Sequence, residues 1–292
     1  MALFLNQLIN GVHVGSIYAL IALGYTMVYG IVKLINFAHG DILMVGAYTI
    51  VVMVNMWGMH PVVGIVVSIL MCVTFGVVIE KVAYRPLRSS PKISSLITAI
   101  GVSMLLQNVA LLIFSPTPKP YPIQVNVAPL RFGEIQLSFT TFLTFLVSLL
   151  LMLLLQGFVT TSKAGKSMRA VSEDMDAAML MGINVNNTIS MTFAVGCALA
   201  AVGSLLYCMA YPAVSPTLGS LPGVKAFIAA VLGGIGLIPG AMMGGFILGI
   251  AESLTKGYIS SQMSDAVVYG ILIIVLLFKP AGLLGKGMRE KV

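Results

Sequence analysis

The sequence predicts an all-α protein, a polytopic bundle of transmembrane helices. The 292 residues are 59% hydrophobic and only 9% charged, with a mean hydropathy of +1.04. Soluble domains carry about 25% charged residues, so this chain cannot cover its surface with polar groups and its solvent must be lipid. The cations lie in a few short loops beside apolar runs, which is typical of orientation signals in membrane proteins and does not require a nucleic-acid partner.

The apolar runs divide a single domain, residues 1–292, into roughly seven to nine crossings. Uninterrupted spans are predicted at 6–30, 61–79, 93–114, 139–159, 188–210 and 258–278. The positive-inside rule places in the cytoplasm the basic loop 80–92 and the tail that carries Lys279, Lys286, Arg289 and Lys291. Counting the crossings back from these cytoplasmic segments then puts the N-terminus outside. The proline-rich residues 115–137 are expected to form an extended outer segment.

Two apolar segments are interrupted, one early and one late. The first, 34–45, is broken by Asn36, His39, Gly40 and Asp41, as a cytoplasmic turn or as backbone that lines a wet cavity. The second, 225–252, is broken around Gly233, Gly234, Gly236, Pro239 and Gly240. Such a pair of broken or re-entrant segments predicts a translocation path, although a structural turn network explains Asn36, His39 and Asp41 equally well.

Glycines four residues apart predict close helix contacts in two of these regions. Gly11 and Gly15 form one such pair in the first span, and Gly245 and Gly249 form another in the late segment. Small residues at this spacing let two helix backbones approach each other in a membrane.

The longest charged stretch between two apolar runs is 163–187. Its apolar residues recur at spacings of four and three, which is one face of a helix: Ala164, Met168, Val171, Met175, Ala178 and Gly182. A single helix would put cations in its first half and acids in its second, against the helix dipole. We therefore predict a break, with the incoming helix ending among Lys163, Lys166 and Arg169, where the dipole favours cations. Ser172 is then the N-cap of a second, short helix, and Gly182 is its C′ residue. The alternative is an ordinary solvated loop.

The chain carries no visible energy source. Gly165-Lys166-Ser167 imitates the end of a P-loop, but Thr160 occupies the required upstream glycine position and no strand precedes it. We find no catalytic motif, and the three cysteines lack metal-ligand spacing. The expectation is a chain that is not an enzyme, holds no metal and no cofactor, and depends on something bound to its cytoplasmic helix.

Four long segments resemble the LivH-type permease subunits of branched-chain amino-acid ABC importers, also called the hydrophobic amino acid uptake family. In order along the chain they are GSIYALIALGYTMVYGIVKLINFAHGDILMVGAY (15–48), VAYRPLRSS (82–90), RAVSEDMDAAMLMGI (169–183) and KAFIAAVLGGIGLIPGAMMGGFILGIAE (225–252). The resemblance covers nearly the whole chain and is weakest in the outer loop 115–137.

This resemblance implies a subunit of a larger machine in the bacterial inner membrane. Its partners would be a second homologous permease, two cytoplasmic ATPase subunits that use ATP, and an extracytoplasmic solute-binding protein, with no nucleic acid. It makes 169–183 the ATPase-coupling segment, with polar contacts from Arg169, Glu173, Asp174 and Asp176, packing from Met175, Met179 and Gly182, and Ser172 as the cap. The cargo would be branched-chain amino acids.

Other functions remain open at this point. A sister importer for urea or short amides would have the same architecture. A stand-alone secondary amino-acid carrier would transport without ATPase partners and would more often place acids in mid-span. A membrane-embedded enzyme would need a cluster of reactive groups, whereas the three histidines are spread over positions 13, 39 and 60.

Overall fold

The computed structural model describes residues 2–88, 90–123, 127–132 and 135–285. In this part of the chain the α-helices are α1 Ala2–Val32, α2 His39–Val51, α3 Pro61–Ile79, α4 Lys92–Phe114, α5 Phe139–Thr161, α6 Lys163–Glu173, α7 Met175–Leu180, α8 Val185–Ala210, α9 Ser220–Gly233, α10 Ile238–Tyr258 and α11 Met263–Phe278. A π-helical turn, Val52–Met56, extends α2. The helical turns Glu80–Tyr84 and Arg85–Leu87 extend α3.

The helices confirm the predicted membrane bundle. Among the described residues, seven helices are long and apolar enough to cross a membrane, and α9 and α11 are shorter apolar helices. Together they agree with roughly seven to nine crossings. The helix α1 lies at the centre, because most of its apolar window is buried inside the protein, whereas α4 and α5 present apolar side chains outward.

One end of the bundle, the N-terminal face, collects the start of α1 and the loops expected outside. Asn6 Oδ1 accepts a hydrogen bond from the backbone N–H of Gln136 at 3.1 Å. The Asn55 amide donates to the carbonyl oxygen of Pro120 at 3.1 Å. Short strands also form here: β1 Lys119–Pro120 pairs with β4 Ala213–Val214, and β2 Leu130–Phe132 pairs with β3 Ile135–Leu137. In the described part of the outer segment, β1 is tied to the loop before α9, and β2 and β3 fold back on each other instead of continuing as one extended stretch.

The other end, the Lys33 face, collects the segments expected in the cytoplasm. Arg88 donates to Asn186 Oδ1 at 2.7 Å, which joins the end of α3 to the start of α8. The backbone N–H of Leu283 donates to the carbonyl oxygen of Leu232 at 2.8 Å, so the chain after α11 returns beside the end of α9. The predicted tail cations Lys286, Arg289 and Lys291 lie outside the described residues.

The basic loop 80–92 begins later than predicted, because helical turns continue through Leu87. Glu80 is buried there. Its carboxylate pairs with Arg88 and accepts a hydrogen bond from Ser190 Oγ at 2.5 Å. Burial lowers the pKa of Arg88 while Glu80 opposes that shift, and a guanidinium remains charged at neutral pH. A carboxylate in a basic loop was not expected to be buried, and the pairing with Arg88 makes its burial tolerable.

The glycine pairs of α1 and α10 pack against each other, as their spacing predicts. A Cβ atom on Gly11 would lie 2.7 Å from Ile250 Cα, and one on Gly15 would lie 2.8 Å from Phe246 Cα. From the other side, a Cβ on Gly245 would lie 2.5 Å from the backbone nitrogen of Ala19. The two backbones therefore touch along this interface, which is the contact that small residues at four-residue spacing allow.

Candidate functional site

The charged stretch 163–187 forms two helices on the Lys33 face. The Ser162 hydroxyl accepts from the backbone N–H of Gly165 at 2.9 Å and so caps the start of α6. Met168 and Val171 are fully buried against the bundle, and Ala178 is buried on α7. The predicted apolar face is thus the one that anchors the segment, while Gly182 on the same face is exposed.

The break between the helices lies two residues after the predicted one. Asp174, not Ser172, is the N-cap of α7: its Oδ1 accepts from the N–H groups of Asp176 at 2.9 Å and Ala177 at 3.0 Å. Ser172 lies inside α6, and its hydroxyl donates to the carbonyl oxygen of Arg169 at 2.7 Å. The prediction for Ser172 was wrong because Ser and Asp are equally good caps. The incoming helix α5 already ends at Thr161, so α6 has Lys163 at its start and Glu173 at its end, which is the arrangement that the dipole argument disfavours.

Gly182 ends α7 as predicted. Its φ of +79° is in the left-handed region, which favours glycine. Its N–H donates to the carbonyl oxygen of Met179 at 2.9 Å, and the N–H of Ile183 donates to that of Ala178 at 3.0 Å. This is a Schellman motif. Both ends of α7 are therefore fixed by hydrogen bonds that do not depend on another protein.

The outward surface of α7 is apolar at its tip. Met179, Leu180 and Met181 are 54%, 90% and 82% exposed. The predicted polar contacts Arg169, Glu173, Asp174 and Asp176 are exposed around it, although Arg169 also donates to the carbonyl oxygen of Thr160 at 3.0 Å. Met175 is only half-buried against the protein. Sequence reasoning missed Leu180 and Met181 because they lie off the repeating face and so carry no periodic signal.

The first break is the connection 33–38, which folds back into the bundle so that α2 starts inside it. His39 is fully buried, with its ring 4.7 Å from that of Tyr25 on α1. Asn36 accepts from the Tyr84 hydroxyl at 2.9 Å, and its carbonyl oxygen accepts from the N–H of His39 at 3.1 Å. Asn36 therefore belongs to the turn network. His39, Gly40 and Asp41 form the first turn of α2 rather than the break itself.

Gly40 and Asp41 face a cavity of about 230 Å³ between the starts of α2 and α9 and the side of α4. A Cβ on Gly40 would lie 2.6 Å from the carbonyl oxygen of Gly219, so only glycine permits this approach of the two helix starts. The Asp41 carboxylate accepts from Gln107 Nε2 at 2.9 Å. Gln107 on α4 thus hydrogen-bonds a neighbouring helix, as polar side chains in membrane spans commonly do.

The second break is the loop 234–237, between α9 and α10. Gly234 and Gly236 have φ values of +107° and +95°, and Pro239 lies in the first turn of α10. The backbones of Gly233 and Gly240 touch across the loop. A Cβ on Gly30, near the end of α1, would lie 3.0 Å from Gly236 Cα. The glycine-rich break therefore lies at the Lys33 face, at the opposite end of α9 from Gly40 and Asp41.

The predicted path residues thus divide into two groups. Gly40 and Asp41 line the cavity at the start of α9. The other group lies in or beside the loop 234–237, at the end of α9: Gly233, Gly234, Gly236, Pro239 and Gly240. Asn36 of the first break and Ile235 of the second border the same small void of about 10 Å³. Helix α9, which is 14 residues long, connects the cavity to the loop 234–237.

A buried charge cluster links α9 to its neighbours and was not predicted as a unit. Lys225 Nζ lies 2.8 Å from Glu252 Oε1 and 2.7 Å from Asp265 Oδ1. Glu252 also accepts from Tyr18 at 2.8 Å and from Lys256 at 2.5 Å. Tyr18, Lys225, Glu252 and Asp265 belong to four different helices, so only the packing of those helices reveals the cluster. Among the described residues, no group of His, Cys, Asp and Glu could hold a metal ion.

Comparisons with known proteins agree with this architecture. Residues 7–276 match the family described as the branched-chain amino acid transport system / permease component. The chain is 45% identical to the high-affinity branched-chain amino acid transport system permease protein BraD of Pseudomonas aeruginosa, over 99% of this chain and 98% of that protein. It is 44% identical to the permease protein LivH of Escherichia coli K12, with the same coverage.

A more distant similarity extends to an archaeon. The chain is 29% identical to the probable branched-chain amino acid transport permease protein LivH of Methanocaldococcus jannaschii, over 92% of this chain and 89% of that protein. No solved structure matches the chain.

Proposed function

Because this chain belongs to the family of branched-chain amino acid transport permeases, we propose that it is the membrane-spanning subunit of an ATP-driven importer of branched-chain amino acids. It is a multi-pass inner-membrane protein and a transport subunit, and ATP hydrolysis belongs to separate subunits. The observation that carries the proposal is near-full-length similarity to high-affinity permeases, joined to an apolar bundle with seven long helices in its described residues.

The dependence on partners is supported by the cytoplasmic segment. Gly165-Lys166-Ser167 lies inside α6, directly after α5, so it has neither the preceding strand nor the loop of a phosphate-binding site. In contrast, α7 offers exposed Leu180 and Met181 on a helix whose ends are fixed by Asp174 and Gly182. We assign α6 and α7 as the surface that docks on one of two ATPase subunits.

In the proposed mechanism, closure of the ATPase pair moves α7 as a rigid lever. The movement reaches the bundle through the buried side of α6, at Met168 and Val171. The hinge 234–237 lies on the same face and can absorb rotation between α9 and α10, because glycine backbones accept many conformations. A second, homologous permease would complete the path, and an extracytoplasmic binding protein would deliver the cargo to the N-terminal face.

The orientation follows from charge. The Lys33 face carries Lys33, Lys81, Arg85, Arg88, Lys163, Lys166, Arg169 and Lys279, and short loops rich in cations stay in the cytoplasm. We therefore expect an impermeant maleimide to label Thr117→Cys in intact cells and Lys166→Cys only after the membrane is opened. The native cysteines are buried and give a low background. The reverse labelling pattern would show that the topology is inverted.

The function is tested by uptake into proteoliposomes that hold the complete assembly and receive leucine with its binding protein. We expect leucine uptake that requires both ATP and the ATPase subunits, with urea as a control cargo that is not taken up. Uptake by the permeases without ATPase subunits would identify a secondary carrier, and uptake of urea in preference to leucine would assign the chain to the sister importers.

A further inference from the structure

Asp41 differs from the other buried carboxylates of this chain. Glu80 is paired with Arg88, and Glu252 is paired with Lys225 and Lys256. Asp41 is only 2% exposed and, within the described residues, no cation lies within salt-bridge distance of it. A buried carboxylate without a cation is unfavourable, and an acidic residue inside the membrane region is by default associated with a ligand or an ion path.

Asp41 lines a cavity beside its hydrogen-bond partner Gln107. The cavity of about 230 Å³ is only partly enclosed and is bordered by α2, α4 and α9. It is somewhat smaller than the roughly 300–1,000 Å³ of sites for drug-sized ligands. A space of this size suits a small metabolite.

The polar groups of the cavity converge on one side. Gln107 Nε2, which donates to Asp41 at 2.9 Å, also lies 3.2 Å from Ser103 Oγ and 3.2 Å from Ser220 Oγ. The amide nitrogen has two hydrogens, so besides Asp41 it can donate to only one of these hydroxyl oxygens. The Ser103 hydroxyl also hydrogen-bonds the Asp41 carboxylate, so Ser220 is the group whose proton remains available to an acceptor such as a carboxylate. This side therefore offers one negative acceptor, Asp41, and one available hydroxyl donor, Ser220.

The remaining wall of the cavity is apolar. Phe37, Ile100 and Val224 line it, and the ring of Tyr25 closes it beside Gly40. An apolar wall opposite a small polar cluster is the usual composition of a pocket that recognises a molecule with one polar and one apolar end.

We propose that this cavity is a transient binding site for the transported amino acid, with Asp41 as the counter-ion of its α-ammonium group. The inference rests on the proposed function and adds a place and a chemistry to it. The α-carboxylate accepts from Ser220, and the branched side chain contacts Phe37, Ile100 and Val224. Neutral urea would leave Asp41 without a cation, so the cavity selects for ammonium compounds.

The test measures binding of small molecules to the whole assembly in lipid nanodiscs, without the binding protein. Saturation-transfer NMR detects weak ligands and is applied to leucine, to leucinamide, which keeps the ammonium group, and to 4-methylpentanoate, which lacks it. We expect signals from leucine and leucinamide and little from 4-methylpentanoate. In Asp41→Asn the leucine signal should disappear, and leucine uptake should fall about tenfold or more, the loss expected when a charged hydrogen bond is removed.

Matched variants separate binding from folding. Asn at position 41 can still accept from Gln107, so the thermal stability of Asp41→Asn should remain close to wild type. Asp265→Asn, which neutralises a half-exposed carboxylate away from the cavity, should keep the leucine signal. If Asp41→Asn binds leucine like wild type, or if 4-methylpentanoate binds as well as leucinamide, the assignment is wrong. Failure of wild-type uptake would instead refute the proposed function.

Discussion

Replacing Leu180 and Met181 together by alanine is expected to abolish ATP-driven leucine uptake while leaving the permease correctly inserted. The two side chains are 90% and 82% exposed at the tip of α7, where they have no packing role inside this chain. Burying an exposed Leu or Met side chain in an interface contributes about 2 kcal/mol relative to leaving it in water. The affinity for the ATPase subunits should therefore fall about 30-fold for each side chain. Co-purification of the ATPase measures this directly.

The control for this variant lies in the same segment. Lys166→Ala removes an exposed side chain of α6 and should leave uptake within about twofold of wild type, since exposed charges contribute little to a stable interface. Glu173→Gln with Asp176→Gln tests the acids and should slow association more than it weakens the complex. Normal uptake and normal ATPase binding by the double alanine variant would contradict the docking role of α7.

Replacing Gly249 by leucine should prevent the bundle from assembling. A Cβ at this position would meet the backbone of Gly15 and the carbonyl oxygen of Gly11, and backbone cannot move aside as a flexible side chain can. Overpacking usually costs about 1–3 kcal/mol, and contact with a helix backbone belongs at or above the top of that range. We expect little monodisperse protein in detergent and a strongly lowered melting temperature.

Gly101 provides the matched substitution. It lies in α4, and a Cβ there would have no neighbour within 4 Å. Gly101→Leu therefore introduces the same side chain as Gly249→Leu, but in open space. It should yield protein in normal amounts and with a near-normal melting temperature. Equal behaviour of the two variants would show that the α1–α10 contact is not the interface that holds the bundle together.

The sequence predicted the elements that depend on local chemistry. The two breaks, the apolar face of 163–187, Gly182 as the end of α7 and the glycine contacts of α1 all follow from composition and spacing. The position of the α7 cap did not, because Ser172 and Asp174 are both good N-caps and only the surrounding backbone decides between them. The coupling role of the segment and the path role of the breaks stay predictions.

The cavity, the charge cluster and the separation of the two breaks could not be predicted without the tertiary structure. Asp41 could be recognised as an unusual residue, but its partner Gln107 is 66 residues away and the cavity is formed by helices that are not consecutive. Lys225, Glu252 and Asp265 each looked like an ordinary charge near a span end, and only their mutual distances make them a cluster. Likewise, the separation of the hinge glycines from Gly40 depends on the length and direction of α9.

The packing of α1 against α10 has a consequence for how the protein is made. Tyr18 and its partner Glu252 are separated by 234 residues, so the central helix leaves the ribosome first and meets its main neighbour almost last. At a synthesis rate of about 5–20 residues per second, this interval is roughly 10–50 s. During that time the glycine face of α1 must be held in the membrane without its final partner. The interface between α1 and α10 therefore forms only after most of the chain has been synthesised.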